Sequence, residues 1–275
     1  MPENEVTIFE GHNFNEKSFN NYINSQINNK NNRLFGIKRP NLLCQSEFAE
    51  RVSKYCPKTK LIMVLRLPIE RTVSAYYHYM RWGFFPVEDI ESGIPKLLYG
   101  DYKQKYWRSF EIIEFSFYGK YIKKLYDFVD KNNIYIGLFE DLIHNPKVFL
   151  KSVFDFLEIE PLELCFDDII KKKPQSVIYS LDRLKIITMQ HRFEKFVDEN
   201  GCIIPGKGGK KITDEDREKI DLIKKFDGRV LRSIYSNVKP CLSESLLQMM
   251  RETYDEDIKL TSKLIDRPLT EWQQY

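Results

Sequence analysis

The 275-residue chain is short of several things that would sort it quickly. It has no excess of charge: Lys and Arg exceed Asp and Glu only by 43 − 40 = 3. A general nucleic-acid binder is expected to be strongly basic, so that class is disfavoured and any anion site must come from a local cluster. It has no paired cysteines. Cys44, Cys56, Cys165, Cys202 and Cys241 are odd in number, scattered and without a CxxC pair, which argues against a disulfide framework or a zinc site and for a reducing compartment. No apolar run approaches membrane-spanning length and no signal peptide opens the sequence, so a cytoplasmic protein is expected. Internal repeats and a dividing linker are also lacking. At this length the chain suits one α/β domain, expected over residues 1–275.

What is present centres on residues 60–83. Leu61 to Leu65 is a short apolar run containing Ile and Val, which predicts a strand buried on both faces of a parallel sheet. Pro68 stands where a helix can begin without losing a hydrogen bond, and Ile69, Val73, Tyr76 and Met80 follow as its inward stripe. Arg66 ends the strand and Ser74 lies two turns into the helix. A guanidinium fork and a hydroxyl in that arrangement suit a phosphate. The alternatives are an Arg66 paired with a nearby carboxylate and a Ser74 bonded to its own helix backbone.

The pattern LR-x-P-x-E-R-x-x-S-x-Y, Leu65 to Tyr76, resembles the 3'-phosphate-binding segment of sulfotransferases that use 3'-phosphoadenosine 5'-phosphosulfate (PAPS), most nearly the carbohydrate and heparan sulfate enzymes. The resemblance implies that Arg66 and Ser74 hold the 3'-phosphate. Leu67 departs from the Asp or Asn usual in the family. ENEVTIFE, Glu3 to Glu10, is similar to the family segment whose glutamate is the general base, which implies that role for Glu5; Thr7 replaces a common histidine. GIKRP, Gly36 to Pro40, is similar to the EKTP segment and implies Lys38 as the cation beside the transferred group. The residues alone allow blander readings, a solvated carboxylate and a surface lysine.

Further along, residues 84–112 mix Tyr, Trp and charge and suggest a helix with an irregular excursion; their aromatics suit either sugar stacking or a satellite core. Helical period returns over Phe115 to Asp130, Ile134 to Phe139 is a second buried strand, and a helix is predicted over Pro146 to Leu157. The resemblance extends here, from S-x-Y-x-x-x-L to the acidic E-D-L turn, and points to Ser116 and Tyr118 as nucleotide contacts. Ser116 is equally suited to an N-cap. Lys171 to Lys173 has the look of solvated surface. A helix is expected over Leu181 to Phe196.

Asn200 to Lys219 then brings Gly206, Gly208 and Gly209 together with Lys207, Lys210 and Lys211. It is no Walker loop, since neither Ser nor Thr follows the lysine. Its KGGK core is similar to the family's late K-G-R loop, which implies Lys207, Gly208 and Lys210 at the nucleotide, Lys210 serving for the arginine that Gly209 replaces. A flexible hinge is the alternative. Thr213 with Asp216 is a capping-box signal, and two helices are expected after it, the last through Leu247, Met250, Tyr254, Ile258 and Ile265.

The resemblance covers most of residues 3 to 272, with an unmatched stretch around 220 to 240. It implies a three-layer P-loop-like α/β fold, a short central parallel sheet flanked by helices. The family's KxGTxxL loop has no counterpart in the sequence, so the first β-loop-α unit is expected to be missing. The implied function is transfer of a sulfonate from PAPS to an acceptor hydroxyl, on a carbohydrate, with no metal. The alternative is a shortened, inactive relative that binds the nucleotide or a glycan. A P-loop-type kinase is a weaker third class.

Overall fold

The computed structural model describes residues 14–28, 35–45, 47–160 and 177–274. In chain order the elements are α1 (Glu16–Asn28), α2 (Phe48–Tyr55), β1 (Leu61–Leu65), α3 (Pro68–Arg81), α4 (Ile90–Tyr99), α5 (Tyr102–Lys105), α6 (Glu111–Glu114), α7 (Tyr118–Tyr126), β2 (Ile134–Leu138), α8 (Phe139–His144) and α9 (Pro146–Leu157). There follow α10 (Leu181–Thr188), α11 (His191–Glu194), α12 (Asp214–Phe226), α13 (Arg232–Ile234), α14 (Glu244–Leu264) and α15 (Thr270–Gln274). The chain groups into two compact units, each assembled from three separate stretches.

The first unit takes Met1–Leu65, Tyr118–Leu164 and Asp257–Pro268. Among its described residues β1 and β2 form a parallel pair, in register from Leu61 opposite Ile134 to Leu65 opposite Leu138. The expected parallel sheet is therefore present, with helices on both faces. On one face Leu61, Met63 and Ile134 pack on Phe19, Phe48, Val52, Leu125 and Val129, drawn from α1, α2, α7 and the turn after α7. On the other, α9 covers β2: a Cβ at Gly137 would lie 2.4 Å from the Phe149 ring, so the helix sits where only glycine leaves room. The Tyr135 ring meets Phe149 and Phe156, and its hydroxyl bonds Ser152 Oγ at 2.6 Å.

One expectation is corrected here. β1 is not buried on both faces: Ile62 and Val64 are 42 % and 46 % exposed while Leu65 is buried, the alternation of a strand with one covered face. An apolar run of five residues looks alike in the two settings.

The second unit takes Arg66–Phe117, Cys165–Glu256 and Leu269–Tyr275. Its axis is α3, which buries Ile69, Thr72, Val73, Tyr76 and Met80 on one side. The helix ends in a Schellman arrangement: Gly83, at φ +72, donates to Met80 O at 2.9 Å, and Phe84 N donates to Tyr79 O at 3.0 Å. The predicted capping box opens α12, with Asp216 N donating to Thr213 Oγ1 at 3.1 Å and Thr213 N to Asp216 Oδ2 at 3.0 Å. The helix expected over Leu181 to Phe196 is instead two, α10 and α11, broken at Met189 and Gln190. The break lets His191 turn its Nε2 onto Arg81 O, 2.8 Å away at the end of α3.

Candidate functional site

The site is built on the start of α3. Its N-cap is Leu67, whose side chain makes no capping hydrogen bond, and its first position is Pro68, which has no N–H. The positive end of a 14-residue helix is thus left without a capping acceptor from its own sequence. Asp or Asn at position 67 would supply one.

Glu70, Ser74 and His78 follow at four-residue intervals, so they share one face of α3, and Arg66 precedes Glu70 by the same interval. The Arg66 side chain is 31 % exposed and donates from Nη2 to Glu70 Oε2 at 2.8 Å. Ser74 is half-buried, and no hydrogen bond of its hydroxyl is found among the described residues. A second cation joins them from far along the chain: Lys239 Nζ donates to Glu70 Oε1. One carboxylate therefore holds two cations, and the three side chains together carry a net charge of +1. The neighbouring Arg71 is spent differently, donating from Nη1 to Glu111 O and Ile112 O, each at 2.9 Å, and to no carboxylate in those bonds.

The opposite face of α3 is sealed. Thr72 Oγ1 lies 3.0 Å from Ser116 Oγ and 2.7 Å from the Tyr254 hydroxyl. Ser116 also approaches Pro68 O at 3.4 Å, and Tyr254 approaches Ile113 O at 3.4 Å. All three side chains are buried, and burial pushes the Tyr254 phenol up to about 12. Ser116 has no exposed surface and its hydroxyl is held inside this network, beneath α3.

The late loop is no slack hinge. Antiparallel bridges join Lys195 to Gly209 and Val197 to Ile203, and Asp198 Oδ1 accepts from Asn200 N and Cys202 N to close the turn. Ile203 N donates to Gly83 O at 2.7 Å, and a Cβ at Gly83 would come within 3.0 Å of the His191 ring. The ribbon is thereby stitched to the end of α3, roughly 14 Å of helix axis beyond Ser74 at the usual rise per residue. Gly206 and Gly208 have φ of +78 and +66, values that favour glycine, and Lys207 and Gly208 stand exposed at the tip. Lys210 Nζ donates to Arg192 O at 2.8 Å and lies 5.5 Å from the Phe196 ring centroid. Burial pushes the Cys202 thiol up to about 12 and holds the His191 imidazole below its ordinary value.

The sequence-predicted residues thus fall into groups. Arg66 and Ser74 share one partly exposed face; Ser116 lies beneath the same helix; Lys207, Gly208 and Lys210 belong to the ribbon at its far end. Lys38 is exposed in the segment 35–39, and Tyr118 is the buried first residue of α7, both in the first unit. Glu5 and Thr7 lie outside the described residues, as do Cys165 and the run Lys171 to Lys173. Among the described residues no cluster of His, Cys, Asp and Glu could hold a metal ion, and no helix is long and apolar enough to cross a membrane. Sequence reasoning missed Glu70 and Lys239. The four-residue step from Arg66 to Glu70 was a signal for the first; nothing around Lys239 marked the second.

Comparison with known proteins bears on this geometry. The structure is similar to the crystal structure of a sulfotransferase from Alicyclobacillus acidocaldarius, with a TM-score of 0.57 at 16 % identity over 99 % of this chain and 87 % of that one. At that identity the likeness shows a shared fold. A search of curated protein sequences finds no match. The family model described as sulfotransferase domain matches residues 8–228, a span that includes Arg66, Ser74 and the Lys207–Lys210 loop. With four-fifths of its length so matched, the chain belongs to the sulfotransferase domain family.

Proposed function

We propose that the protein transfers a sulfonate from PAPS to an acceptor hydroxyl, with a carbohydrate as the acceptor class, and that Arg66 and Ser74 hold the 3'-phosphate of the donor. The observation that carries this reading is the pairing of a half-exposed guanidinium with an unclaimed hydroxyl on one face of an uncapped helix start. A dianionic phosphate fits that surface in sign and in hydrogen-bonding capacity.

The donor supplies a sulfonate already activated on a phosphate oxygen. Transfer forms a bond from the acceptor oxygen to sulfur and breaks the bond from sulfur to that phosphate oxygen, so one proton and one developing charge need handling. In this reading Glu5 takes the acceptor proton, a role typically worth around 10²- to 10⁴-fold in rate. Lys38 offsets the charge growing on the leaving oxygen. Lys207, Gly208 and Lys210 close on the nucleotide, Tyr118 is a further contact, and Ser116 acts indirectly by bracing Thr72 beneath α3. We read residues 1–275 as one catalytic domain of P-loop-like design that works in a reducing compartment.

The test is transfer of labelled sulfate from PAPS to a panel of glycans and small alcohols. The expected result is a labelled glycan, with label lost on Arg66→Ala. A Glu5→Gln variant of full activity would remove Glu5 as the base. Nucleotide binding without transfer to any acceptor would reduce the function to binding alone.

A further inference from the structure

We propose that a pyranose ring of the acceptor stacks on the exposed indole of Trp107, which makes this residue a specificity-determining contact for a glycan substrate. The inference rests on the reading of the protein as a sulfotransferase with a carbohydrate acceptor and adds to it the place where the acceptor is held. The aromatic residues of the segment 84–112 are of two kinds. Phe85 and Tyr106 are buried and meet edge to face at 5.8 Å, as a satellite core requires, whereas Trp107 and Phe110 stand 46 % and 41 % exposed.

The surroundings of Trp107 hold its ring in place. It lies at 90° to the Phe84 ring with centroids 5.3 Å apart, and the Arg108 guanidinium lies 5.0 Å from the Phe84 centroid and 5.9 Å from that of Trp107. That guanidinium is anchored in turn. Its Nε and Nη2 donate to the two oxygens of Glu111 at 2.6 and 2.8 Å, and the Tyr79 hydroxyl donates to the same buried carboxylate. Arg71 ties down the backbone through Glu111 O and Ile112 O. Both Arg71 and Tyr79 belong to α3, so the brace is built on the helix that carries Arg66's partner face. The brace is also strained: Arg108 sits at φ +63, a left-handed conformation disfavoured for a side chain of that size, and such strain persists where surrounding contacts over-determine it, as at binding sites. A turn that only filled a core would need neither the strain nor an indole left outside.

The occupant follows from the chemistry. A fixed ring with a negative π face attracts the C–H groups that line one side of a pyranose, and the exposed Gln104 and Lys105 of α5 provide a polar rim for its hydroxyls. A protein partner would call for a contiguous apolar patch; from Tyr106 to Phe110 exposed rings alternate with buried and polar residues instead. A second exposed indole lies along α3. Ser74, His78 and Trp82 succeed one another in four-residue steps, and Trp82, 49 % exposed, has its ring centroid 6.0 Å from that of His78. The row of side chains that begins with Arg66 thus ends in a ring suited to the same sugar chemistry.

The chain has three tryptophans and Trp272 is buried, so a ligand-induced change in the emission of the full chain reports on Trp82 and Trp107. Titration with cellohexaose, chitohexaose and an N-acetylheparosan hexasaccharide should shift that emission saturably for at least one of them and shield it from acrylamide. Trp107→Ala removes a ring that is half outside the fold, so the variant is expected to fold. In calorimetry it should bind the same glycan about 10-fold more weakly, the scale of one lost aromatic contact, raise that glycan's KM in sulfate transfer to match, and bind 3'-phosphoadenosine 5'-phosphate within about twofold of wild type. Trp107→Phe should recover part of the loss, and Trp107→Leu, apolar but without a π face, should recover none. No shift with any of the three glycans, an unchanged glycan affinity in Trp107→Ala, or an equal weakening toward the nucleotide would overturn the inference and leave the sulfotransferase reading standing. Glycan binding that depends on Trp107 without transfer from PAPS would uphold the stacking site and overturn the reading of transfer.

Discussion

The two faces of α3 start from the same stretch of sequence and end in opposite states. Arg71 and Thr72 turn their polar atoms onto Glu111 O, Ile112 O, Ser116 and Tyr254, where each is matched by a fixed partner. Arg66 and Ser74 are partly exposed, and the Ser74 hydroxyl finds no partner among the described residues. The contrast separates structure from recognition within one motif. A satisfied polar group beneath a helix stabilises the fold and has little left to offer a ligand; a hydroxyl without a fixed partner, as on Ser74, contributes little to folding and is suited to an anion.

Substitutions that move one face should leave the other unmoved. The largest effect is expected for Arg71→Met, which deletes two charge-assisted bonds to carbonyls and should lower unfolding free energy by about 3 kcal/mol in denaturant melts without changing nucleotide selectivity. Thr72→Val deprives both Ser116 and Tyr254 of their nearest partner, leaving only the 3.4 Å approaches to carbonyls; a loss of about 1 to 3 kcal/mol should appear in the same melts. On the open face Ser74→Ala should do the reverse, changing stability by less than about 0.5 kcal/mol while weakening 3'-phosphoadenosine 5'-phosphate roughly tenfold in calorimetry.

A smaller effect concerns the far end of the helix. Burial holds the His191 imidazole below its ordinary 6.5, so on acidification the unfolded chain takes up the proton first. Stability from this group is complete above that ordinary value and drains as pH falls through the lowered folded value. Thermal midpoints between pH 7.5 and 5.5 should therefore decline less steeply in His191→Leu than in wild type, whereas Ser74→Ala should follow the wild-type slope.

How much of this the sequence disclosed depends on how far apart the deciding partners lie. The strand before Arg66, the proline that starts α3, the helix over Pro146 to Leu157 and the capping box at Thr213 follow from neighbours within a few residues, and all are found where local pattern puts them. The break between α10 and α11 does not, because His191 bonds a carbonyl 110 residues away. Ser116 is of the same kind. Its character is set by Thr72, 44 residues back, and by Tyr254, which reaches the same threonine across 182 residues. A serine before a helix looks alike as cap, ligand or network member until those partners are in place. The open side of β1 was hidden because Ile62 and Val64 are apolar whether covered or not, and Lys239 because a single lysine before a proline carries no periodicity.

The central claim is that the outer face of α3 recognises a ribose 3'-phosphate, and the affinity ratio between 3'-phosphoadenosine 5'-phosphate and adenosine 5'-phosphate measures it most directly. Wild type should prefer the 3'-phosphorylated nucleotide by about 100-fold or more, and Arg66→Ala should bring the two affinities together. A wild-type protein that binds both nucleotides equally, or an Arg66→Ala variant that keeps the preference, would contradict the account.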